Sequence, residues 1–350
     1  MKKNAHIQYD KLNTIDQKII DLIIQRGKIM KDVKKNNINI LDFLYNDNIF
    51  SNINEKNLIY YNLDTIKRVF TPLFLKEIAP IEKNPKPSLL VSRETKKENT
   101  IIEINNVKIG NGQPQIIAGP CSIENLEQLR TVAKELNKKN LNFIRGGAFK
   151  PRSSPYSFQG LGIEGLKMLK KVGDEFNLIT VSEIVTPTDL NIANKYIDII
   201  QIGARNMQNF ELLKAAGKLN KPILLKRGLS ATIEEFINAA EYIASNGNKQ
   251  IILCERGIRT YETATRNTLD ISAVPILKKI THLPVMVDVT HSTGRKDLLI
   301  PTTKAAIAIG ADAIMSEVHP NPRLALSDNL QQMDLKEFHN YLDNIRITNK

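Results

Sequence analysis

Leu141-Asn142-Phe143-Ile144-Arg145-Gly146-Gly147-Ala148-Phe149-Lys150-Pro151-Arg152-Ser153-Ser154-Pro155-Tyr156 is the stretch whose reading decides the fold. A short apolar run reads as a β-strand, and its carboxyl end carries two arginines and a lysine interleaved with glycine and proline. Strand ends of this kind are where open and closed α/β sheets hold anionic ligands. The cations are irregularly spaced and so make no solvated helical stripe. A charged surface loop is the plain alternative, but the same pattern returns at later strand ends.

Outward from this stretch, strand, loop and helix alternate. Strands are expected at Gln115–Ala118, Asn142–Ile144, Leu178–Ser182, Ile197–Ile202, Pro222–Leu225, Gln250–Leu253, Pro284–Val289 and Ala313–Met315. Helical periodicity falls between them, as at Leu126–Lys139, Ile163–Glu175, Ile233–Ala244 and Thr302–Gly310, with a last helix near Asp334–Ile345. Eight such units predict an α/β fold, a (β/α)8 TIM barrel. A doubly wound open sheet is the runner-up, but no Gly-x-Gly-x-x-Gly turn follows the first strand. Before the barrel, Thr100–Ile104 and Val107–Ile109, joined through Asn105-Asn106, read as a short β-hairpin. Residues 10–35 read as one amphipathic helix carrying Leu12, Ile15, Ile19, Ile20, Leu22, Ile23, Ile29 and Met30, and a second helix is expected over Leu63–Ile78. Residues 36–60 are Asn-rich and weakly patterned, and Pro80, Pro85 and Pro87 mark a linker. The expected organisation is a small all-α N-terminal domain over 1–90 and a barrel over 97–350.

A net charge of +12 invites a nucleic-acid reading, but the lysines are scattered, many on helix faces beside Glu or Asp. A pocket for phosphorylated substrates accounts for the arginines, so no nucleic-acid partner is expected. Two cysteines, Cys121 and Cys254, make no disulfide framework. No charged-then-apolar leader and no membrane-spanning apolar run is evident, so the expectation is a cytoplasmic protein with reduced thiols and no membrane partner.

Two chemical groups collect at the expected strand ends. Arg145, Lys150, Arg152, Arg205, Lys226 and Arg256 are cations that would repel one another in one barrel mouth unless anions bind there. Arginine's planar fork suits carboxylate and phosphate. Each alone has a dull reading as a salt bridge to a helix carboxylate, preferred for Arg227; six together do not. Cys121, His291, Glu317 and Asp328 supply a thiolate, an imidazole and two carboxylates, a mixed soft and hard set suited to a divalent transition metal. Singly, Cys121 reads as a small buried hydrophobe, His291 as a general base and Glu317 as an ion-pair partner. His282 and His339 read as structural residues at helix ends, and His319 as a neighbour of the ligands or a substrate contact.

From about Lys97 onward the chain resembles the 3-deoxy-D-arabino-heptulosonate 7-phosphate (DAHP) synthase family, in the shorter-chain branch that includes 3-deoxy-octulosonate 8-phosphate synthase. The resemblance is carried by Gly119-Pro120-Cys121-Ser122, Arg145 to Ser153, Ile202-Gly203-Ala204-Arg205-Asn206, Leu225-Lys226-Arg227-Gly228, Cys254-Glu255-Arg256-Gly257, Asp288-Val289-Thr290-His291-Ser292 and Glu317-Val318-His319-Pro320. The octulosonate enzymes carry Lys-Ala-Asn-Arg-Ser-Ser where this chain has Lys150-Pro151-Arg152-Ser153-Ser154, which favours erythrose 4-phosphate over arabinose 5-phosphate.

The resemblance implies the first step of the shikimate pathway, with phosphoenolpyruvate and erythrose 4-phosphate as substrates. Arg205 and Arg256 would hold the phosphoenolpyruvate phosphate, while Arg145, Lys150 and Lys226 would serve its carboxylate side. Arg152 and Ser153 would take the sugar phosphate, Glu183 would position a water, and Lys150 would donate a proton. One divalent ion (Mn, Fe, Zn or Co) would sit on Cys121, His291, Glu317 and Asp328, and the assembly would be a homotetramer. The N-terminal unit resembles the chorismate mutase domain some of these synthases carry, with Arg26 matching a family arginine. Tyr9 and Asn37 stand where an arginine and a lysine are expected, and Asp42–Tyr45 lacks the next arginine. This implies a degenerate mutase fold serving assembly or feedback by chorismate or prephenate, with residual mutase activity as the alternative.

Overall fold

A computed structural model describes residues 2–35, 65, 66, 68, 69, 88–152 and 154–345. The chain divides into two units, Met1–Pro87 and Ser88–Lys350. In the first, helix α1 spans Lys2–Lys35, eight residues longer at its start than the hydrophobic period predicts. Its periodic side chains Leu12, Ile15, Ile19, Ile20, Leu22, Ile23 and Ile29 are each more than a third exposed, whereas Met30 is buried. Arg26 is half-buried on this helix and Tyr9 is exposed. Thr65, Ile66, Arg68 and Val69 are helical, in keeping with the second expected helix; the rest of that helix, Asn37, Asp42–Tyr45 and the linker prolines lie outside the described residues.

The second unit opens with the hairpin, β1 Ile102–Ile104 and β2 Val107–Ile109, in antiparallel register with Ile102 opposite Ile109. Asn105 and Asn106 both take positive φ (47° and 67°), the turn that matches the twist of a two-residue hairpin. Eight parallel strands follow: β3 Gln115–Gly119, β4 Phe143–Arg145, β5 Ile179–Glu183, β6 Ile199–Ile202, β7 Ile223–Lys226, β8 Ile251–Glu255, β9 Val285–Asp288 and β10 Ala313–Glu317. They close in sequence order, β10 pairing back onto β3, so the fold is a (β/α)8 TIM barrel. The helices between them are α2 Leu126–Lys138, α3 Gly162–Phe176, α4 Pro187–Tyr196, α5 Phe210–Gly217, α6 Ile233–Ser245, α7 Ala273–Ile280, α8 Val289–Thr293 and α9 Leu299–Ala308, with α10 Leu335–Ile345 after β10. Local chemistry starts several of them: the Asn125 side chain caps α2, Thr186 followed by Pro187 opens α4, and Thr232 with Glu235 forms a full capping box on α6.

Two apolar layers hold this unit. One lies between strands and helices and includes Leu129, Leu166, Phe236, Leu277 and Phe338. The other fills the barrel interior with Ile117, Phe143, Ile179, Leu224, Ile252, Cys254 and Met286, and Ile102 and Ile109 of the hairpin belong to it. The hairpin therefore stoppers the amino-terminal end of the barrel. Several strands run further than their apolar runs predict. Arg145, Glu183, Lys226, Glu255 and Glu317 are the last residues of their strands, paired with Val181, Gln201, Cys254, Val287 and Gly119. The ladder continues through charged residues because Arg145, Glu183 and Lys226 line a polar mouth, while Glu317 is paired with Arg145 and Glu255, facing the other way, with Arg227. Asp288 ends β9 one residue early, since Val289 already starts α8.

Candidate active site and metal centre

The mouth at the carboxyl ends of the strands holds a cavity of about 480 Å³, lined by Arg145, Lys150, Arg152, Glu183, Arg205, Lys226, Arg256, His291 and Asp328 among others. Ser153 lies outside the described residues. Arg205 is exposed at the rim, Lys150 and Arg152 are half-buried, and Arg145, Lys226 and Arg256 lie deep. Most of these cations are already positioned by neighbours. Arg145 donates from Nη1 to Pro120 O (2.7 Å) and Glu317 Oε1 (3.1 Å), while its buried Nε has no partner among the described residues. Arg256 donates to His291 O at 3.0 Å, and Arg205 reaches Pro151 O at 3.4 Å. Lys226 is ion-paired with the fully buried Asp288. Glu183 accepts from Gln201 Nε2 at 3.1 Å, and a Cβ at Gly203 would lie 2.0 Å from Glu183 Oε1, so a side chain there would push the carboxylate from this position.

Beside the cavity, Cys121, His291, Glu317 and Asp328 each point one donor atom into a space where all four lie within 4.8 Å of one another. Cys121 sits just past β3, and His291 is placed by α8, whose N-cap Asp288 accepts the His291 N–H at 3.0 Å. The same carboxylate accepts from His291 Nδ1 at 2.7 Å, leaving Nε2 facing Glu317 (3.2 Å) and Asp328 (3.7 Å). Cys121 Sγ lies 3.5 Å from Asp328 Oδ2. Burial, reinforced by Glu317, pushes the Cys121 thiol up to about 12. Burial likewise opposes charge on Glu317, but His291 and Arg145 outweigh it and hold the carboxyl below its usual range; His291 and Arg266 do the same for Asp328. Burial pulls the His291 pKa down against Asp288 and Glu317, which favours a neutral ring with a lone pair on Nε2. Two carboxylates, a thiol and a neutral imidazole converging in a buried spot are a donor set that fits one divalent ion.

Residues that pattern reading missed hold these ligands. Gln331 donates to Glu317 Oε2 (2.8 Å) and Asp328 Oδ2 (3.2 Å), and its own oxygen accepts from Arg266 (2.8 Å). Gln332 accepts the Cys121 N–H at 2.8 Å. Arg259, Arg266 and Asn267, from the long loop after β8, also line the cavity. The sequence reading passed over that loop, where the charge of Arg259 and Arg266 was the available signal; the two glutamines carried none beyond following Asp328. Lys150 bridges pocket and cluster, donating to Cys121 Sγ (3.0 Å) and O (3.2 Å). A Cβ at Gly147 would lie 2.6 Å from that carbonyl and 2.9 Å from Lys150 Cδ, so glycine permits the approach.

His282, His319, His339 and Arg227 lie outside the four-donor cluster. His319 does not reach the four donors; it bonds Glu124 at 3.3 Å and accepts from Asn321 N, tying two loops. His282 bonds Thr100 and Leu90 O, and His339, in mid-helix rather than at a helix end, bonds Glu135. Arg227 is structural, but its partners are the strand-end Glu255 (2.9 Å) and the loop residue Asp270 (2.8 Å) rather than a helix carboxylate. Both cysteines are free, and Cys254 packs in the barrel interior.

Residues 93–348 match the model of the DAHP synthetase I family. The chain belongs to that family. Within it and beside it, the chain is 58% identical over 253 residues to phospho-2-dehydro-3-deoxyheptonate aldolase of Thermotoga maritima, covering 72% of this chain and 75% of the relative. It is 33% identical to 2-dehydro-3-deoxyphosphooctonate aldolase of Fusobacterium nucleatum, covering 69% and 95%. A crystal structure of the Thermotoga maritima DAHP synthase superposes with a TM-score of 0.72 at 56% identity, over 74% of this chain and 76% of that one. A truncated form of the same synthase gives 0.68 at 53% identity, over 73% and 93%. For a DAHP synthetase I member, the converging cations and the four-donor cluster are the parts to which chemistry has to be assigned. No helix among the described residues is long and apolar enough to cross a membrane.

Proposed function

We infer that this site condenses phosphoenolpyruvate with erythrose 4-phosphate and water, giving 3-deoxy-D-arabino-heptulosonate 7-phosphate and phosphate. The observation that carries the reading is the cationic cavity sharing a wall with the four-donor cluster, because a doubly anionic enol and an aldehyde must meet there. Greater likeness to the heptonate relative (58%) than to the octonate relative (33%) favours the four-carbon aldehyde.

Arg145, Lys150 and Lys226 serve the phosphoenolpyruvate carboxylate side, and Arg205 and Arg256 its phosphate. The Arg145 Nε, without a partner among the described residues, supports this, since a buried N–H is costly to leave without an acceptor. Arg152 and Ser153 take the sugar phosphate. Cys121, His291, Glu317 and Asp328 would hold a divalent ion (Mn, Fe, Zn or Co), which supplies Lewis acidity at an aldehyde oxygen. The enol carbon attacks the aldehyde carbon, and Lys150 delivers its proton to the oxygen that becomes the new hydroxyl. Burial opposes charge on Lys150, but the acidic groups around it, Cys121, Glu317 and Glu183, outweigh burial and raise its pKa, so the lysine is held as the ammonium that can give up a proton. Glu183, steadied by Gln201, directs water to the cationic carbon, and phosphate leaves by carbon–oxygen cleavage. A Schiff-base route is disfavoured because Lys226 is committed to Asp288 and Lys150 to Cys121.

The reading extends to the first unit as a degenerate chorismate mutase fold, within a cytoplasmic homotetramer, that carries feedback by chorismate or prephenate. The exposed Tyr9 on α1 supports loss of mutase chemistry, since a phenol replaces a cation there. Phosphate release decides the main reading: it is expected with erythrose 4-phosphate, much slower with arabinose 5-phosphate, and abolished by chelator. Equal rates with both sugars would move the chain to the octulosonate reaction.

A further inference from the structure

Asp288 lies between Lys226 of the substrate cavity and His291 of the four-donor cluster. Its Oδ2 accepts from both Lys226 Nζ and His291 Nδ1, and its Oδ1 accepts the His291 backbone N–H. The carboxylate is fully buried, so water supplies no further donor to that oxygen. Lys226 lines the substrate cavity, whereas Nε2 of the same imidazole faces Glu317 and Asp328 in the four-donor cluster. One oxygen thus stands between the two halves of the site, and both halves draw on it.

We propose that Asp288 is a positioning residue that couples metal binding to phosphoenolpyruvate binding, each tightening the other, through the oxygen shared by Lys226 and His291. The proposal rests on the functional reading above. An anion that engages Lys226 takes part of its hydrogen bonding, which leaves Oδ2 more fully committed to His291 Nδ1–H. A firmer bond there fixes the ring and raises the donor strength of Nε2. Conversely, a cation on Nε2 makes Nδ1–H a stronger donor and draws Oδ2 away from Lys226, freeing the ammonium for the substrate. Thermodynamic linkage requires the two effects to be equal in size.

The test measures Kd for phosphoenolpyruvate by calorimetry on the full chain, chelator-treated and Co2+-loaded, and Kd for Co2+ by visible absorption with and without phosphoenolpyruvate. In the wild type both ratios are expected to agree at about fivefold or more. Asp288→Asn keeps one acceptor but removes the charge, and the factor is expected to fall by about fivefold. Gln331→Met loosens the cluster without touching Lys226, and is expected to weaken Co2+ binding while leaving the factor at its wild-type value. An Asp288→Asn factor equal to wild type overturns the proposal. No phosphoenolpyruvate binding to the wild type overturns the functional reading first, and the coupling with it. Should Asp288→Asn fail to fold, the wild type labelled with 15N-histidine answers the question. With only five histidines, the His291 signal is identified by its loss in His291→Gln. Phosphoenolpyruvate added to chelator-treated protein should move the His291 Nδ1 proton downfield, and an unmoved resonance overturns the proposal.

Discussion

At Cys121 burial and a neighbouring carboxylate favour the neutral thiol, while the ligand form is the thiolate. Filling the cluster with a divalent ion must therefore expel a proton at neutral pH. The sign follows directly: protons compete with the metal, so metal affinity should rise with pH by about tenfold per unit while one proton is displaced. Calorimetry in buffers of different ionisation enthalpy reads the number of protons released, and a value near zero would mean that sulfur is not a ligand. Gln331 is uncharged, yet its amide steadies two of the donors. Gln331→Leu should lower metal affinity by about 10- to 100-fold, the usual cost of losing an outer partner, measured by competition with a chromophoric chelator. Neither glutamine stood out in the sequence. A pattern of charge picks out groups that meet ligands, whereas an amide that meets only other side chains leaves no trace in composition or spacing.

Among elements, the barrel strands were legible because each is a short apolar run bounded by polar loops, and parallel strands buried on both faces must read that way. Their carboxyl ends were not, since hydrophobicity stops one or two residues before the ladder does, as at Arg145 and Glu317. The α1 start was also placed late: Lys2, Lys3 and Asn4 carry no apolar period, yet the helix continues through them. The four clustered donors were legible as residue types at strand ends, but their convergence depends on barrel closure between β3 and β10, which no local window contains. The hairpin was readable from its Asn-Asn turn, and its packing explains why it is there. Ile109 is fully buried beneath the barrel, so Ile109→Ala should cost about 2–5 kcal/mol, read from urea unfolding of the full chain. A loss below about 0.5 kcal/mol, the scale of surface substitutions, would mean the hairpin is decoration.

For the whole molecule, the arrangement of charge matters more than its sum. The net charge of +12 is spread over exposed lysines, many neutralised by helix neighbours such as Glu164 with Lys167 and Glu211 with Lys214. The mouth, by contrast, gathers cations in a recess where their field is screened least. Capture of phosphoenolpyruvate should therefore slow as ionic strength rises from 0.01 to about 0.15 M, over which the screening length falls from roughly 30 to 8 Å. Stopped-flow association rates with salt as the variable would show it. Among the described residues, the packed interior and the stopper formed by Ile102 and Ile109 leave this vessel with a single door. Whatever rests on Arg145 and Lys226 at the floor has to enter before whatever rests on Arg152 near the lip, and cannot depart past it. Turnover should accordingly obey a compulsory order: a saturating sugar phosphate would imprison labelled phosphoenolpyruvate already inside, so that in an isotope-trapping chase nearly all of it emerges as product.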